Sequence, residues 1–69
     1  MENLEIWIGG EPKRFEAPLN LSRLLSELSL AGRRIAVELN GEIVPRSRFD
    51  ETLLANGDKL EIVTAVGGG

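Results

Sequence analysis

The segment Ile35-Ala36-Val37-Glu38-Leu39-Asn40-Gly41-Glu42-Ile43-Val44-Pro45 decides the fold class of this chain. Ile35, Val37 and Leu39 alternate with Ala36 and Glu38, the period of a strand with one apolar face. Asn40-Gly41 is a two-residue turn in which both positions tolerate positive φ, and Glu42-Ile43-Val44 answers as the return strand. Pro45 has no amide hydrogen for a further ladder bond and stops the pair.

Upstream of this hairpin, Leu21, Leu24, Leu25 and Leu28 recur at helical spacing, with Asn20 as N-cap. Gly32 is expected to close this helix of about ten residues, with Arg33 and Arg34 near its negative end. At the start of the chain, Leu4, Ile6 and Ile8 alternate with Glu5 and Trp7. Gly9-Gly10 turns the strand, and Glu11 to Glu16 returns around Phe15, with Pro12 marking an edge strand. Downstream, Arg46 to Leu54 is mixed, with room for one helical turn and a bridging segment. Asn56-Gly57-Asp58 forms a turn, and Lys59 to Ala65 is the last strand, with Leu60 and Ile62 inward and Glu61 and Val63 outward.

Hairpin, helix, short hairpin and last strand make a two-layer α+β domain. The right-handed crossover rule brings the last strand in parallel beside the first, at the sheet centre. The expected fold is therefore a β-grasp, a mixed sheet of four to five strands packed on one helix. Residues 1–65 form that domain and residues 66–69 a flexible tail.

Composition limits what such a domain does. The chain has 69 residues, and Leu, Ile, Val and Phe supply 22 of them, too many for a disordered chain and few for a core. Cysteine and histidine are absent, which removes disulfides, the usual zinc and iron–sulfur sites, the common nucleophile and the common neutral-pH base. A self-contained enzyme with catalytic or metal-ligating side chains is not expected. The net charge of −3 argues against nucleic acid or an anionic membrane as main partner. Without an apolar leader or spanning run, the expected location is cytoplasmic.

The chemistry then falls to Val66-Gly67-Gly68-Gly69. Extended from Ala65, this tail reaches about 16 Å and has almost no side-chain bulk, so it fits a channel too narrow for ordinary residues. Its α-carboxylate is ionised at neutral pH and is a competent nucleophile toward the α-phosphate of ATP. The resulting acyl-adenylate has a good leaving group, and glycine leaves the carbonyl open to a sulfur or amine nucleophile.

The runs Leu39-Asn40-Gly41-Glu42-Ile43-Val44-Pro45-Arg46, Gly57-Asp58-Lys59-Leu60-Glu61-Ile62-Val63 and Val66-Gly67-Gly68-Gly69 resemble the ThiS family of thiamine-biosynthesis sulfur carriers. The resemblance covers about 35 residues of the second half. It implies a ubiquitin-like β-grasp whose terminal glycine is adenylated by a ThiF-type adenylyltransferase and converted to a thiocarboxylate. The sulfur comes from a cysteine desulfurase type of enzyme and passes to thiazole synthase, ThiG. Carried over, Gly69 is the reactive position and Gly68 the second member of the diglycine, while ATP and Mg²⁺ belong to the partner enzyme. The small subunit of molybdopterin synthase, a ubiquitin-like modifier ending in an isopeptide bond, and an interaction module with an inert tail are the alternatives.

Other residues have a structural reading beside a functional one. Trp7 and Val63 are expected on the outer face of the sheet, on neighbouring strands, as an apolar docking surface, the alternative being an isolated exposed tryptophan or one tucked under the tail. Asn40-Gly41 and Asp58 read as turn residues. Arg46 and Arg48 are candidates for meeting nucleotide phosphates, weighed against a solvated face. Glu38, Glu42, Asp50, Glu51, Asp58 and Glu61 are expected near the tail, either for solubility or to steer the chain toward a basic mouth on a partner.

Overall fold

The computed structural model describes residues 2–64. Period-two alternation becomes strands β1 (Asn3–Ile8), β2 (Glu11–Glu16), β3 (Ile35–Leu39), β4 (Glu42–Val44) and β5 (Lys59–Thr64), with helix α1 (Leu21–Glu27) between β2 and β3. A 3-10 helix over Arg46–Glu51 follows β4. The sheet order is β2-β1-β5-β3-β4. β5 runs parallel to β1, and all other neighbours are antiparallel. This five-stranded mixed sheet on one helix is the ubiquitin-like β-grasp that the element order implies. Pro12 lies on edge strand β2, where its missing amide costs no ladder bond.

One face of the sheet supplies Leu4, Ile6, Phe15, Val37 and Leu60 to the core. Against them α1 sets Leu21, Leu24 and Leu25, all buried, with Leu19 just before the helix. The side chain of Asn20 accepts from the Arg23 amide at 2.8 Å, as its N-cap role requires. The same side chain donates to the Asp50 carbonyl at 3.2 Å, and Ser22 donates to the Asp50 carboxylate. Main-chain bonds Leu21 N–H to Thr52 C=O and Leu54 N–H to Leu19 C=O, both 2.9 Å, complete the seam. The segment between β4 and β5 thereby closes the core with Phe49 and Leu54.

The helix is shorter than its leucine spacing predicts. It stops at Glu27, and Ser29, not Gly32, takes the left-handed conformation after it, at φ 63°. The Ser29 amide bonds the Ser26 carbonyl at 3.0 Å and the Leu30 amide bonds the Leu25 carbonyl at 2.8 Å, the paired bonds of a Schellman cap. Leu30 folds back against the core to make that cap's hydrophobic contact, which favours the early stop. Gly32, at φ 79°, serves a second turn that feeds β3. Arg33 and Arg34 accordingly lie beyond the helix end and are exposed at the entry to β3.

Ser29 carries the left-handed conformation at a cost glycine avoids. Ser29→Gly is expected to stabilise the domain by about 1 kcal/mol, read as a rise in Tm of about 4–8 °C by calorimetry.

Candidate functional site

The expected reactive residues Gly69 and Gly68, with Gly67 and Val66, lie outside the described residues, so the site is defined by the strand that delivers them. β5 occupies the centre of the sheet, and the start of that strand is fastened from two sides, by β1 and by the β3–β4 turn. The Trp7 amide of β1 bonds the Asp58 carbonyl at 2.9 Å, and the Asn40 amide bonds the Lys59 carbonyl at 2.8 Å. The Glu5 amide donates to the Asn56 side chain at 2.7 Å, while Gly57 donates back to the Glu5 carbonyl at 2.8 Å.

Asn40 and Asp58 do more than turn the chain. Asn40, at φ 52°, accepts from the Lys59 amide at 3.0 Å through Oδ1 and donates through Nδ2 to Asp58 Oδ1 at 3.1 Å. The other oxygen of Asp58 accepts from the Ala55 amide at 2.8 Å. The β3–β4 turn is thus clasped to the turn before β5, which fixes the register of the outgoing strand.

The two sides of β5 then differ. Its ladder with β1 ends at Ile8↔Leu60, whereas its ladder with β3 continues to Ile35↔Thr64. From Glu61 onward the strand leaves the molecule paired on the β3 side alone. The tail root therefore lies beside Ile35 and Ala36, at the end of the sheet where β3 begins.

Trp7 and Val63 both lie on the outer sheet face, as expected, but they are not adjacent. Trp7 stands opposite Lys59 and Pro12, whereas Val63 stands opposite Ala36, four residues and about 13 Å further along β5. Trp7 is 36% exposed and Val63 63%. Ile43, at 70%, is a third outward apolar residue that the sequence reading missed. Its signal was present: a two-residue turn at Asn40-Gly41 sets Val37 against Val44 and turns Ile43 outward.

Charge is arranged differently from the expectation that acids gather near the tail. Glu38 and Glu61 face each other in mid-sheet, and Asp58 is at the far end of β5. Glu42 opens β4, Asp50 engages Ser22, and Glu51 pairs with Arg48 at 3.5 Å. The tail root has arginines instead: Arg34, Ile35, Ala36, Arg46 and Val63 line an open depression of about 460 Å³. The Arg46 guanidinium donates to the Arg33 carbonyl at 2.6 Å.

With a β-grasp whose last strand is central and whose Asn-Gly and Gly-Asp turns are clasped together, comparison with known proteins becomes decisive. The family model described as "ThiS family" matches residues 6–69. The chain belongs to the ThiS family. It is a ThiS-type sulfur carrier. The crystal structure of the thiamine biosynthesis protein ThiS from Geobacter metallireducens superposes with a TM-score of 0.81 at 36% identity, covering 96% of this chain and all (100%) of that one. An uncharacterized protein, ycf40, of Pyropia yezoensis is 45% identical over 97% of this chain and 94% of its own length. A thiazole synthase of Paramagnetospirillum magneticum is 44% identical over 96% of this chain, which spans only 20% of that larger protein.

The clasp makes a specific expectation for this ThiS-family chain. Asp58→Ala removes two hydrogen bonds whose partners water can reach, and is expected to cost about 1–2 kcal/mol in chemical denaturation. Amide exchange should quicken at Ala55 and Lys59 before it does in α1.

Proposed function

We propose that this chain carries sulfur as a thiocarboxylate on Gly69 and delivers it for thiazole formation in thiamine biosynthesis. The observation that carries this reading is the thiazole synthase of Paramagnetospirillum magneticum, a fifth of which resembles nearly the whole of this chain. A carrier joined to its consumer in one polypeptide meets it at a high effective concentration, which is useful only if the two act in succession. That favours the thiamine role over the molybdopterin-synthase role and over protein modification.

In the proposed cycle, a carboxylate oxygen of Gly69 attacks the α-phosphate of ATP on a ThiF-type adenylyltransferase, and pyrophosphate leaves. The terminal sulfur of a persulfide on a cysteine desulfurase type of enzyme attacks the acyl carbon, and AMP leaves. A second thiol then attacks the enzyme's sulfur of the resulting acyl disulfide, forming a disulfide with it and releasing the thiocarboxylate. Thiazole synthase, ThiG, then takes the sulfur. ATP and Mg²⁺ stay with the adenylating enzyme, and the carrier and its enzymes share the cytoplasm. Gly67 and Gly68 give the tail a narrow profile, and Val66 joins it to the strand. Docking uses the outer sheet face, with Trp7 and Val63 meeting the partner about 13 Å apart along that face.

Intact-protein mass spectrometry after incubation with the adenylyltransferase, ATP, Mg²⁺ and a sulfur source tests the chemistry. The expected gain equals replacement of one oxygen by sulfur, and it is lost when Gly69 is deleted. An unchanged mass, with partners active on a control carrier, rejects the reading. For the docking face, Trp7→Asp is expected to raise the apparent KM for the carrier in adenylation by about tenfold or more, the cost of losing a central aromatic anchor. An unchanged KM removes Trp7 from the interface.

A further inference from the structure

The depression at the tail root combines features suited to a particular partner chemistry. It is lined by the apolar Ile35, Ala36 and Val63 and by two arginines, Arg34 and Arg46. Among the described residues the ion pairs are Arg23–Glu27 and Arg48–Glu51, so neither Arg34 nor Arg46 is paired with a described carboxylate, and the nearest acids by register, Glu38 and Glu61, lie one same-face rung away. Arg46 is held by its bond to the Arg33 carbonyl, so part of its ordering cost is met before any partner arrives. A net-negative protein has therefore placed a positive edge where its tail departs.

Position determines what this edge meets. Val63 and Ile35 belong to the last ladder rungs of β5, so a protein that admits the tail into a channel must close over this depression. The phosphates at which Gly69 reacts are a different matter. An extended tail sets them about 16 Å beyond the root, outside the reach of Arg34 and Arg46.

We infer that Arg34 and Arg46 form a charged collar that recognises an acidic rim, carboxylates flanking an apolar side chain, on the protein receiving the tail. Guanidinium forks suit carboxylates bidentately, and the apolar lining takes the side chain between them. This deepens the proposed carrier function and rests on it. It also reverses the sign of the steering that the sequence suggests: the partner's mouth is acidic at its rim, not basic.

The test measures adenylation by the ThiF-type enzyme with the full chain, varying carrier and ATP separately at low and high salt. Arg34→Glu is the first variant, because its side chain makes no described hydrogen bond or ion pair. Arg46→Gln is the second, with circular dichroism to establish that both fold. Lys13→Glu, on the opposite edge strand, makes the same change in net charge as Arg34→Glu and serves as control.

Arg34→Glu is expected to raise the KM for the carrier by about tenfold or more and to flatten its salt dependence, while the KM for ATP and kcat stay within about twofold. Arg46→Gln should move the same constant in the same direction, and Lys13→Glu should leave it near wild type. Equal effects of Arg34→Glu and Lys13→Glu overturn the collar, because net charge alone then explains them. A raised KM for ATP with an unchanged KM for the carrier also overturns it, assigning the arginines to the nucleotide. If the wild-type chain is not adenylated at all, the carrier reading itself has failed, and the collar with it.

Discussion

Everything in this domain depends on the last strand being inserted at the centre of the sheet. β5 pairs with β1 on one side and β3 on the other, and Leu60 on it is buried between the two hairpins. With no cysteine to form a disulfide between the halves, that insertion joins the N-terminal hairpin to the C-terminal one. The side chains of Asn40, Asn56 and Asp58 fix where it begins. A one-residue slip would turn Leu60 to solvent and Glu61 to the core. Register and core composition are thus a single constraint, and the exit direction of the chain follows from it.

Much of this was legible in the residues. Alternation gave the strands, Asn40-Gly41 the short hairpin, and the crossover rule the parallel central pairing. The features hidden from sequence are those that depend on distant neighbours. Gly32 is a better left-handed residue than Ser29, yet Ser29 ends the helix, because Leu30 is placed to pack back on the core only from there. The 3-10 segment read as mixed because its order comes from Asn20, Ser22 and Thr52, not from any period of its own. At the candidate site, Trp7 and Val63 were correctly assigned to one face, but their separation depends on the β1–β5 register, which local patterns do not encode.

Charge shows the same division. The acids of the second half do not gather at the tail: Glu38 and Glu61 meet in mid-sheet, while Asp58 lies at a distant turn and Asp50 and Glu51 on the 3-10 helix. Arg34 and Arg46 are twelve positions apart in sequence yet line one depression, because β3 and β4 form a hairpin whose open end brings them together. Net charge describes how the chain behaves as a colloid. The local arrangement is a separate matter: the net charge is negative, yet two arginines line the depression beside the end of β5.

The late position of β5 has a consequence for synthesis. Until Lys59 to Thr64 are made, β1 and β3 each lack their central neighbour, and Ile6 and Val37 have no completed sheet to close over them. A chain released early therefore lacks the completed sheet, with Leu60 missing from the core. Translation must pass through this last strand before the two hairpins can join into one sheet.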